Sequence, residues 1–242
     1  MLTIFKKEVN ALLSSLTAYL VIVIFLTAVG LFTWVFPDTN VFDYGFADLS
    51  TLFNLSPYVL MFLVPAITMR TFAEEKKAGT LELLFTKPLT DWDIILGKYL
   101  ACLLLVVLAL LPTLVYYYTV FQLGSPPGNV DSAGVTGSYL GLVLLGGVFA
   151  AIGTFASAIS ENQVISFLIA VFLCFLLHTG ISSLAGLAVW GGEAYFVSQL
   201  GLDYHYNALS KGLIDLRNVV YFLGVVFVML SAAKLVIGSR KW

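Results

Sequence analysis

The sequence predicts an all-α membrane protein with six transmembrane helices, an interfacial helix at the N-terminus and both termini in the cytoplasm. Hydrophobic residues make up 60% of the chain, charged residues make up only 11%, and the mean hydropathy is +0.98. A soluble globular chain carries about 25% charged and about 45–50% apolar residues. The charges are also gathered into a few short stretches with long uncharged intervals between them. This composition excludes a soluble fold.

Six of the uncharged intervals are long enough to hold a membrane-spanning helix. Such a helix needs about 20 residues, because each residue adds about 1.5 Å along the axis and the hydrocarbon core is about 30 Å thick. The predicted spans are residues 17–36, 52–70, 98–121, 138–159, 163–187 and 218–238. Together they predict a single transmembrane domain over residues 1–242.

The distribution of basic residues predicts the orientation of these spans. Lysine and arginine favour cytoplasmic loops, and the chain holds 12 of them. Only Lys211 and Arg217 fall in segments that the alternation of spans places outside; the others precede span one, lie between spans two and three, or close the chain. The N-terminus, the loop at 71–97 and the C-terminus are therefore predicted to be cytoplasmic.

Residues 1–16 form the first element. Apolar side chains recur there at helical spacing, with polar side chains on the opposite side, a pattern typical of an amphipathic helix that lies in the membrane interface. The apolar positions are Leu2, Phe5, Val9, Leu12, Leu13 and Leu16. The alternative is that this stretch extends the first span.

The loop at 71–97 is the most charged stretch of the chain, and it has an internal order. Its first residues are expected to continue the second span out of the membrane until Gly79 ends that helix. Thr80 can cap a short helix over residues 81–86, which Pro88 then ends. At the far end of the loop, Thr90 and Asp93 have the spacing of a capping box for the helix that becomes span three.

The short helix at 81–86 carries an apolar row formed by Leu81, Leu84 and Phe85. These side chains face water unless something covers them, and a charged loop has no need of such a row. Exposed apolar side chains in a polar setting often mark an interface. The row therefore predicts a docking surface for a partner, although a surface loop stabilised by its own Glu/Lys pairs is the alternative.

Beyond this loop, span four is rich in small residues, among them Gly137 and Gly141, which would let neighbouring helices approach closely. Residues 188–217 mix aromatic and aliphatic side chains with sparse charge, and we expect short re-entrant helices at the outer interface. His205 lies in that segment and is expected to join an aromatic patch. His178 is the one titratable side chain deep in span five, where polar packing is favoured over a functional role.

Several kinds of chemistry find no support in the sequence. The stretch Gly97-Lys98-Tyr99 is not a phosphate-binding loop, and neither HExxH nor GxSxG occurs. Cys102 and Cys174 fall inside spans without a CxxC or a Cys/His cluster, so they are expected to be packing residues. The spans have essentially none of the carboxylates or lysines at the bilayer centre that mark ion-coupled carriers. Energy for transport would therefore have to come from a partner.

Three stretches of the sequence resemble the ABC-2 class of ATP-binding-cassette permeases, and the resemblance covers nearly the whole chain. They are Phe5-Lys6-Lys7-Glu8, the run from Phe72 to Leu84 with Pro88 and Gly97-Lys98, and Lys211-Gly212-Leu213-Ile214-Asp215 before Tyr221-Phe222. Within the class, the loop together with Ser210-Lys211-Gly212 and the terminal Lys-Trp pair is similar to the permease subunit associated with bacterial gliding motility. Related permeases for drug export and copper-enzyme maturation share much of this pattern.

The resemblance implies a multi-pass protein of the bacterial inner membrane that pairs with a second membrane subunit and with cytoplasmic ABC ATPase subunits. ATP and magnesium would then be bound by the partner, with no cofactor and no nucleic acid on this chain. The loop residues expected to contact the ATPase are Glu74, Glu75, Gly79, Thr80, Leu81, Glu82, Leu84, Phe85 and Pro88. The residues expected to belong to an outer gate are Lys211, Gly212 and Asp215.

Three functions remain open from the sequence. The first is a permease that exports a cargo or transmits force with energy from a separate ATPase, in a process linked to gliding motility. The second is a stand-alone secondary carrier, which an intramembrane charge or an inverted repeat would indicate. The third is a non-transporting anchor of an envelope machine, which needs the same loop and partners as the first.

Overall fold

The computed structural model describes residues 1–43, 46–82, 88–186 and 194–239, and within these ranges the chain forms helices and no strand. The α-helices are α1 (Leu2–Leu13), α2 (Leu16–Trp34), α3 (Ser50–Thr68), α4 (Ala73–Lys77), α5 (Asp91–Leu110), α6 (Leu114–Leu123), α7 (Ser132–Ile159), α8 (Gln163–Phe175), α9 (Ile181–Ala185), α10 (Ala194–Ser198), α11 (Leu202–Ser210) and α12 (Leu216–Gly238). A 3₁₀ turn at Leu111–Thr113 joins α5 to α6, and a π-helical turn at Leu176–Gly180 joins α8 to α9.

Six helical stretches within the described residues are long and apolar enough to cross a membrane. They are Leu16–Trp34, Ser50–Lys77, Asp91–Leu123, Ser132–Ile159, Gln163–Ala185 and Leu216–Gly238. The predicted fold class, an all-α polytopic membrane protein, is confirmed. Because the number of spans is even, the two termini share one side of the membrane, the side that the basic residues predict to be cytoplasmic.

Helix α7 is the centre of the bundle. Some 78% of the most apolar part of α7 is buried, against 22% for α12 and for the α8–α9 stretch, so α12, α8 and α9 lie at the periphery of the bundle. Close contacts at the glycines of α7 explain why this helix lies at the centre of the bundle. A Cβ on Gly153 would overlap Thr68 of α3, and one on Gly146 would lie 2.6 Å from a methyl carbon of Val106 of α5. The small residues of span four therefore let α3 and α5 approach its backbone.

Helix α1 is separate from the first span. The chain bends at Ser15, whose backbone is extended (φ −89°, ψ 135°) and whose hydroxyl accepts a hydrogen bond from the Thr17 N–H at 3.1 Å. Helix α1 then lies against the start of α5, where a Cβ on Gly97 would come within 2.9 Å of Ile4 Cγ2. Residues 2–13 and the first span therefore form two separate helices.

On the predicted outer side, α11 packs against α7 and α12. A Cβ on Gly137 would overlap the Leu209 carbonyl group, and Gly141 lies against the Tyr206 ring. The Tyr206 hydroxyl donates to the Phe53 carbonyl of α3 at 2.7 Å, and burial raises its pKa. The outer segment therefore packs on the outer end of α7. The opposite end of the same helix contacts the cytoplasmic elements.

Candidate functional site

The turn between α3 and α4 is held by one hydroxyl group of α7. Ser157 Oγ accepts hydrogen bonds from the Phe72 N–H at 2.9 Å and the Ala73 N–H at 3.0 Å, and it donates to the Met69 carbonyl at 3.0 Å. The Lys76 ammonium also donates to the Ala158 carbonyl. The first turn of a helix has N–H groups without partners inside the helix. Here the central span supplies those partners, so α4 is fixed to α7.

A cluster of charged side chains joins α4 to α1 and α5. Lys98 of α5 is only 1% exposed, and its ammonium lies 2.9 Å from Glu75 Oε1 of α4 and 3.0 Å from Glu8 Oε1 of α1. It also donates to the Thr71 carbonyl at 2.7 Å. A buried ammonium is stable only when it is paired and hydrogen-bonded. Lys98 meets both conditions, and in doing so it ties three elements together.

Lys7 completes this ionic cluster, formed by Lys7, Glu8, Glu75 and Lys98. Its ammonium lies 3.2 Å from Oε1 of both Glu8 and Glu75, and its side chain is 57% exposed. Partial burial alone would lower the pKa of Lys7, but the charges of Glu8 and Glu75 outweigh that effect and raise it. The cluster holds two basic and two acidic side chains, so its formal charges balance.

The loop after α4 turns at Gly79 as expected. Helix α4 ends at Lys77, and Gly79 has a φ of +66°, a conformation that residues with a side chain rarely adopt. The Thr80 N–H donates to the Glu75 carbonyl at 2.9 Å, which closes the helix end. At the other end of the loop, Thr90 and Asp93 form the predicted capping box of α5.

The predicted ATPase contacts divide into three groups. The exposed ones are Glu74, Gly79, Thr80, Glu82 and Pro88. Glu75 is engaged in the ionic cluster, and Leu81 is 6% exposed and packs into the hydrophobic core. The expectation that Leu81 faces water is therefore wrong, because the chain itself covers it. Leu84 and Phe85 lie outside the described residues, as does most of the predicted helix at 81–86.

The roles of Lys98, Glu8 and Ser157 are not predictable from the sequence alone. Lys98 is recognisable there only as a basic residue of the cytoplasmic side, and helical spacing along one segment cannot show which other helix will supply a partner. One signal was available. Lys98 follows Gly97, and a glycine beside a charged residue at the start of a span indicates that another backbone approaches closely there.

On the outer side, the predicted gate residues lie at the link between α11 and α12. Gly212 has a φ of +76°, Lys211 is exposed, and the Asp215 carboxylate caps α12 by accepting from the Arg217 N–H at 3.0 Å. A Cβ on Gly212 would crowd the backbone at Ala133 and Gly134 of α7. The glycine therefore allows this link to lie directly on the central span.

The two histidines have different surroundings. His205 of α11 is buried, and its Nε2–H donates to the Gln199 carbonyl at 2.9 Å, while Nδ1 lies 2.8 Å from Asn218 Oδ1. Its ring stacks on Tyr221 with centroids 3.9 Å apart. His178 is 2% exposed, lies in the π-helical turn and makes edge contacts with Tyr58 and Phe149. Its Nδ1 has no hydrogen-bond partner among the described residues.

Comparison with known proteins gives the family. The model for ABC-2 family transporter proteins matches residues 37–233, which include four of the six spans, most of the last span, the loop after α4 and the outer segment. No curated protein matches the chain. Among the described residues, no group of His, Cys, Asp and Glu side chains is arranged to hold a metal ion. Since the family match covers most of its length, the chain belongs to the ABC-2 family of transporter proteins and is the transmembrane permease component of an ABC transporter, whose partner is an ATPase.

Proposed function

We propose that this permease receives force from a separate cytoplasmic ATPase at α4 and the loop that follows it. The proposal rests on two sets of contacts between α4 and the spans. The ionic cluster ties α4 to α5 and α1, and Ser157 ties its first turn to α7. A loop that served only to connect two spans would need neither a buried lysine nor a hydroxyl shared between two backbone N–H groups.

The exposed residues of the loop are the surface on which the ATPase would act. Five of them belong to the predicted contact set: Glu74 on α4, Gly79, Thr80 and Glu82 after it, and Pro88 shortly before α5. We keep Leu84 and Phe85 in the proposed contact. Glu75 and Leu81 take a different role in the proposal, because both point into the chain, where they hold the loop rather than touch a partner.

The route of the force follows from the contacts. A displacement of α4 would move α7 through Ser157, and it would move α5 through Glu75 and Lys98. Helix α7 reaches the outer side of the membrane, where its glycines lie against α11. We therefore propose that the outer segment, with Lys211, Gly212 and Asp215, responds to ATP hydrolysis on the opposite side. Packed helices have discrete arrangements, so a small shift at one end can be passed on rather than absorbed.

The assembly in this proposal contains a second membrane subunit and two ATPase subunits in a bacterial inner membrane. ATP and magnesium are bound by the ATPase. Helices α2, α8 and α12 carry rows of exposed apolar side chains, which suit contact with lipid and with the second subunit. The second subunit is either a copy of this chain or a related permease.

The link to gliding motility rests on the resemblance of the loop and of Ser210-Lys211-Gly212, while the terminal Lys241-Trp242 pair lies outside the described residues. The cargo is left open, and a force-transmitting anchor that moves no cargo uses the same contacts. A secondary carrier is less well supported. Within the described spans, the one deeply buried lysine, Lys98, is neutralised at the cytoplasmic end of α5, away from the membrane centre.

The test is purification of the permease from membranes in mild detergent, with co-purifying proteins and vanadate-sensitive ATP hydrolysis recorded. The variants are Glu82→Arg and Leu84→Asp in the loop, with Lys6→Glu, an exposed charge change on α1, as the control. We expect an ATPase to accompany the wild type and the control and to be lost from the loop variants. If the wild type carries no nucleotide-binding partner under any mild condition, the proposal is wrong.

A further inference from the structure

A cavity of about 590 Å³ lies between α1, the cytoplasmic end of α3, α4 and the start of α5. Ligand sites in proteins have volumes of about 300–1,000 Å³. One part of its wall is apolar and includes Ala11, Leu12, Ala66 and Ile67. The cavity lies where α3 leaves the predicted membrane, beside an amphipathic helix. Its position and its mixed wall suit a ligand with a polar head and an apolar tail.

The charged side chains in the wall of the cavity balance in formal charge. It contains three basic and three acidic side chains: Lys7, Arg70, Lys98, Glu8, Glu74 and Glu75. Four of these form the ionic cluster, in which Glu75 Oε2 is buried without a hydrogen-bond partner among the described residues. The remaining pair is Arg70 and Glu74. Both are exposed, and neither side chain makes an ion pair or a hydrogen bond with the described part of the chain.

Arg70 and Glu74 lie four residues apart, Arg70 in the turn between α3 and α4 and Glu74 on α4, and both line the cavity. The Glu74 N–H donates to the Arg70 carbonyl at 3.4 Å, so the two side chains leave the backbone on the same side. Residues in this relation have Cβ atoms about 5–6 Å apart. The cavity thus presents one unpaired cation and one unpaired anion as close neighbours.

We propose that this cavity binds a head group that carries both a phosphate ester and a primary ammonium, as in a glycerophospholipid with an ethanolamine head. The Arg70 guanidinium would donate to the phosphate oxygens, a geometry that suits its planar fork. The Glu74 carboxylate would accept from the ammonium. An anionic lipid would meet Arg70 equally well but would place uncompensated negative charge beside Glu74, so the cavity selects the zwitterion. This inference goes beyond the proposed function, because it requires no ATPase.

The experiment measures lipid retention by the purified permease in native mass spectrometry, without an ATPase. The probes are phosphatidylethanolamine, phosphatidylglycerol and phosphatidylcholine with matched acyl chains, and soluble glycerophosphoethanolamine as a competitor. We expect phosphatidylethanolamine to be retained about tenfold better than phosphatidylglycerol, since one lost charge-assisted contact is worth about that factor. Phosphatidylcholine, whose quaternary ammonium has no N–H, should be retained less.

Arg70→Gln and Glu74→Gln should each reduce retention of phosphatidylethanolamine by about tenfold, and Glu74→Gln should also remove the preference over phosphatidylglycerol. Lys77→Gln is the matched control, because Lys77 is exposed on α4 but does not line the cavity. Ala11→Phe, which fills the cavity, should abolish retention without removing a charge.

Competition by glycerophosphoethanolamine would show that the head group alone is recognised. The natural ligand could then also be a free, soluble phosphate ester. A lack of competition would identify the intact lipid as the ligand. Equal retention of the three lipids, or unchanged retention in Glu74→Gln and Ala11→Phe, would overturn the proposal. Because no ATPase is present, such a result would leave the proposed function untouched, and loss of the ATPase contact would leave the lipid result untouched.

Discussion

The Lys98 ammonium lies 2.9 Å from Glu75 Oε1, and this ion pair joins the helix that leaves span two to the helix that begins span three. Both residues are withdrawn from water, with Lys98 only 1% exposed. The pair therefore fixes α4 to the start of span three. A site of force transfer requires a fixed connection of this kind.

Lys98→Met should destabilise the protein strongly. Removal of one partner from a buried ion pair costs about 3–5 kcal/mol, because the remaining charge is left uncompensated. Lys7 still neighbours both carboxylates, so we expect the lower end of that range. Thermal unfolding of the purified protein in detergent measures the effect. Lys7→Met is the control and should cost less than about 1 kcal/mol, as exposed pairs do; equal losses in the two variants would contradict a buried role for Lys98.

The stability contribution of Lys7 should depend on pH. Its pKa is raised in the folded protein above its ordinary value of 10.5. The contribution is therefore fully present below that value and is lost as the pH rises through the higher folded pKa. The difference in melting temperature between wild type and Lys7→Met should be constant from neutral pH to about pH 10 and should shrink above it. A difference that grows with alkaline pH would have the wrong sign for this account.

Ser157→Ala should loosen the start of α4. The substitution removes the acceptor of two backbone N–H groups, and an unsatisfied buried N–H costs about 1–3 kcal/mol. Hydrogen exchange at Phe72 and Ala73 should accelerate, and the melting temperature should fall. Ser239→Ala is the matched control, since the Ser239 hydroxyl is exposed and bonds only within its own helix. If exchange at these two amides is unchanged, Ser157 does not hold the turn.

Gly153→Ala should disturb the packing of α7 on α3, because its Cβ would overlap Thr68. Overpacking of this kind costs about 1–3 kcal/mol. Gly224→Ala in α12 is the control. No atom lies within 4 Å of a Cβ at Gly224, so alanine there should be neutral or stabilise the helix by up to about 1 kcal/mol. Thermal unfolding of both variants distinguishes a packing effect at Gly153 from a general sensitivity of the membrane helices to replacing glycine with alanine.

The fold class could be predicted because the bilayer imposes a simple rule on the sequence. A span must be about 20 residues long and nearly free of charge, and six such intervals are visible in the chain. The turn at Gly79 and the capping box of Thr90 and Asp93 were also predictable, because each depends on residues that are neighbours in the sequence.

The ionic cluster could not be predicted in the same way. Glu8, Glu75 and Lys98 come from three separate elements, and their meeting depends on how α1 folds back against α5. Charge patterning indicates that all three lie on the cytoplasmic side, but it does not show that they pair with one another. Leu81 shows the same limit for an apolar residue: its spacing predicted an exposed row, whereas the tertiary fold covers it.

In the proposed function, the ionic cluster carries force from the loop to the spans. A distance between spin labels on the outer side, at Lys211→Cys and Gln122→Cys, tests this in the permease purified with its ATPase. Both positions are exposed, and the native Cys102 and Cys174 are buried, so the labels report the introduced sites. We predict that ATP with vanadate shifts the distance in the otherwise wild-type complex, and that Lys98→Met abolishes the shift while the ATPase stays bound. A full shift in the Lys98→Met complex would contradict the account.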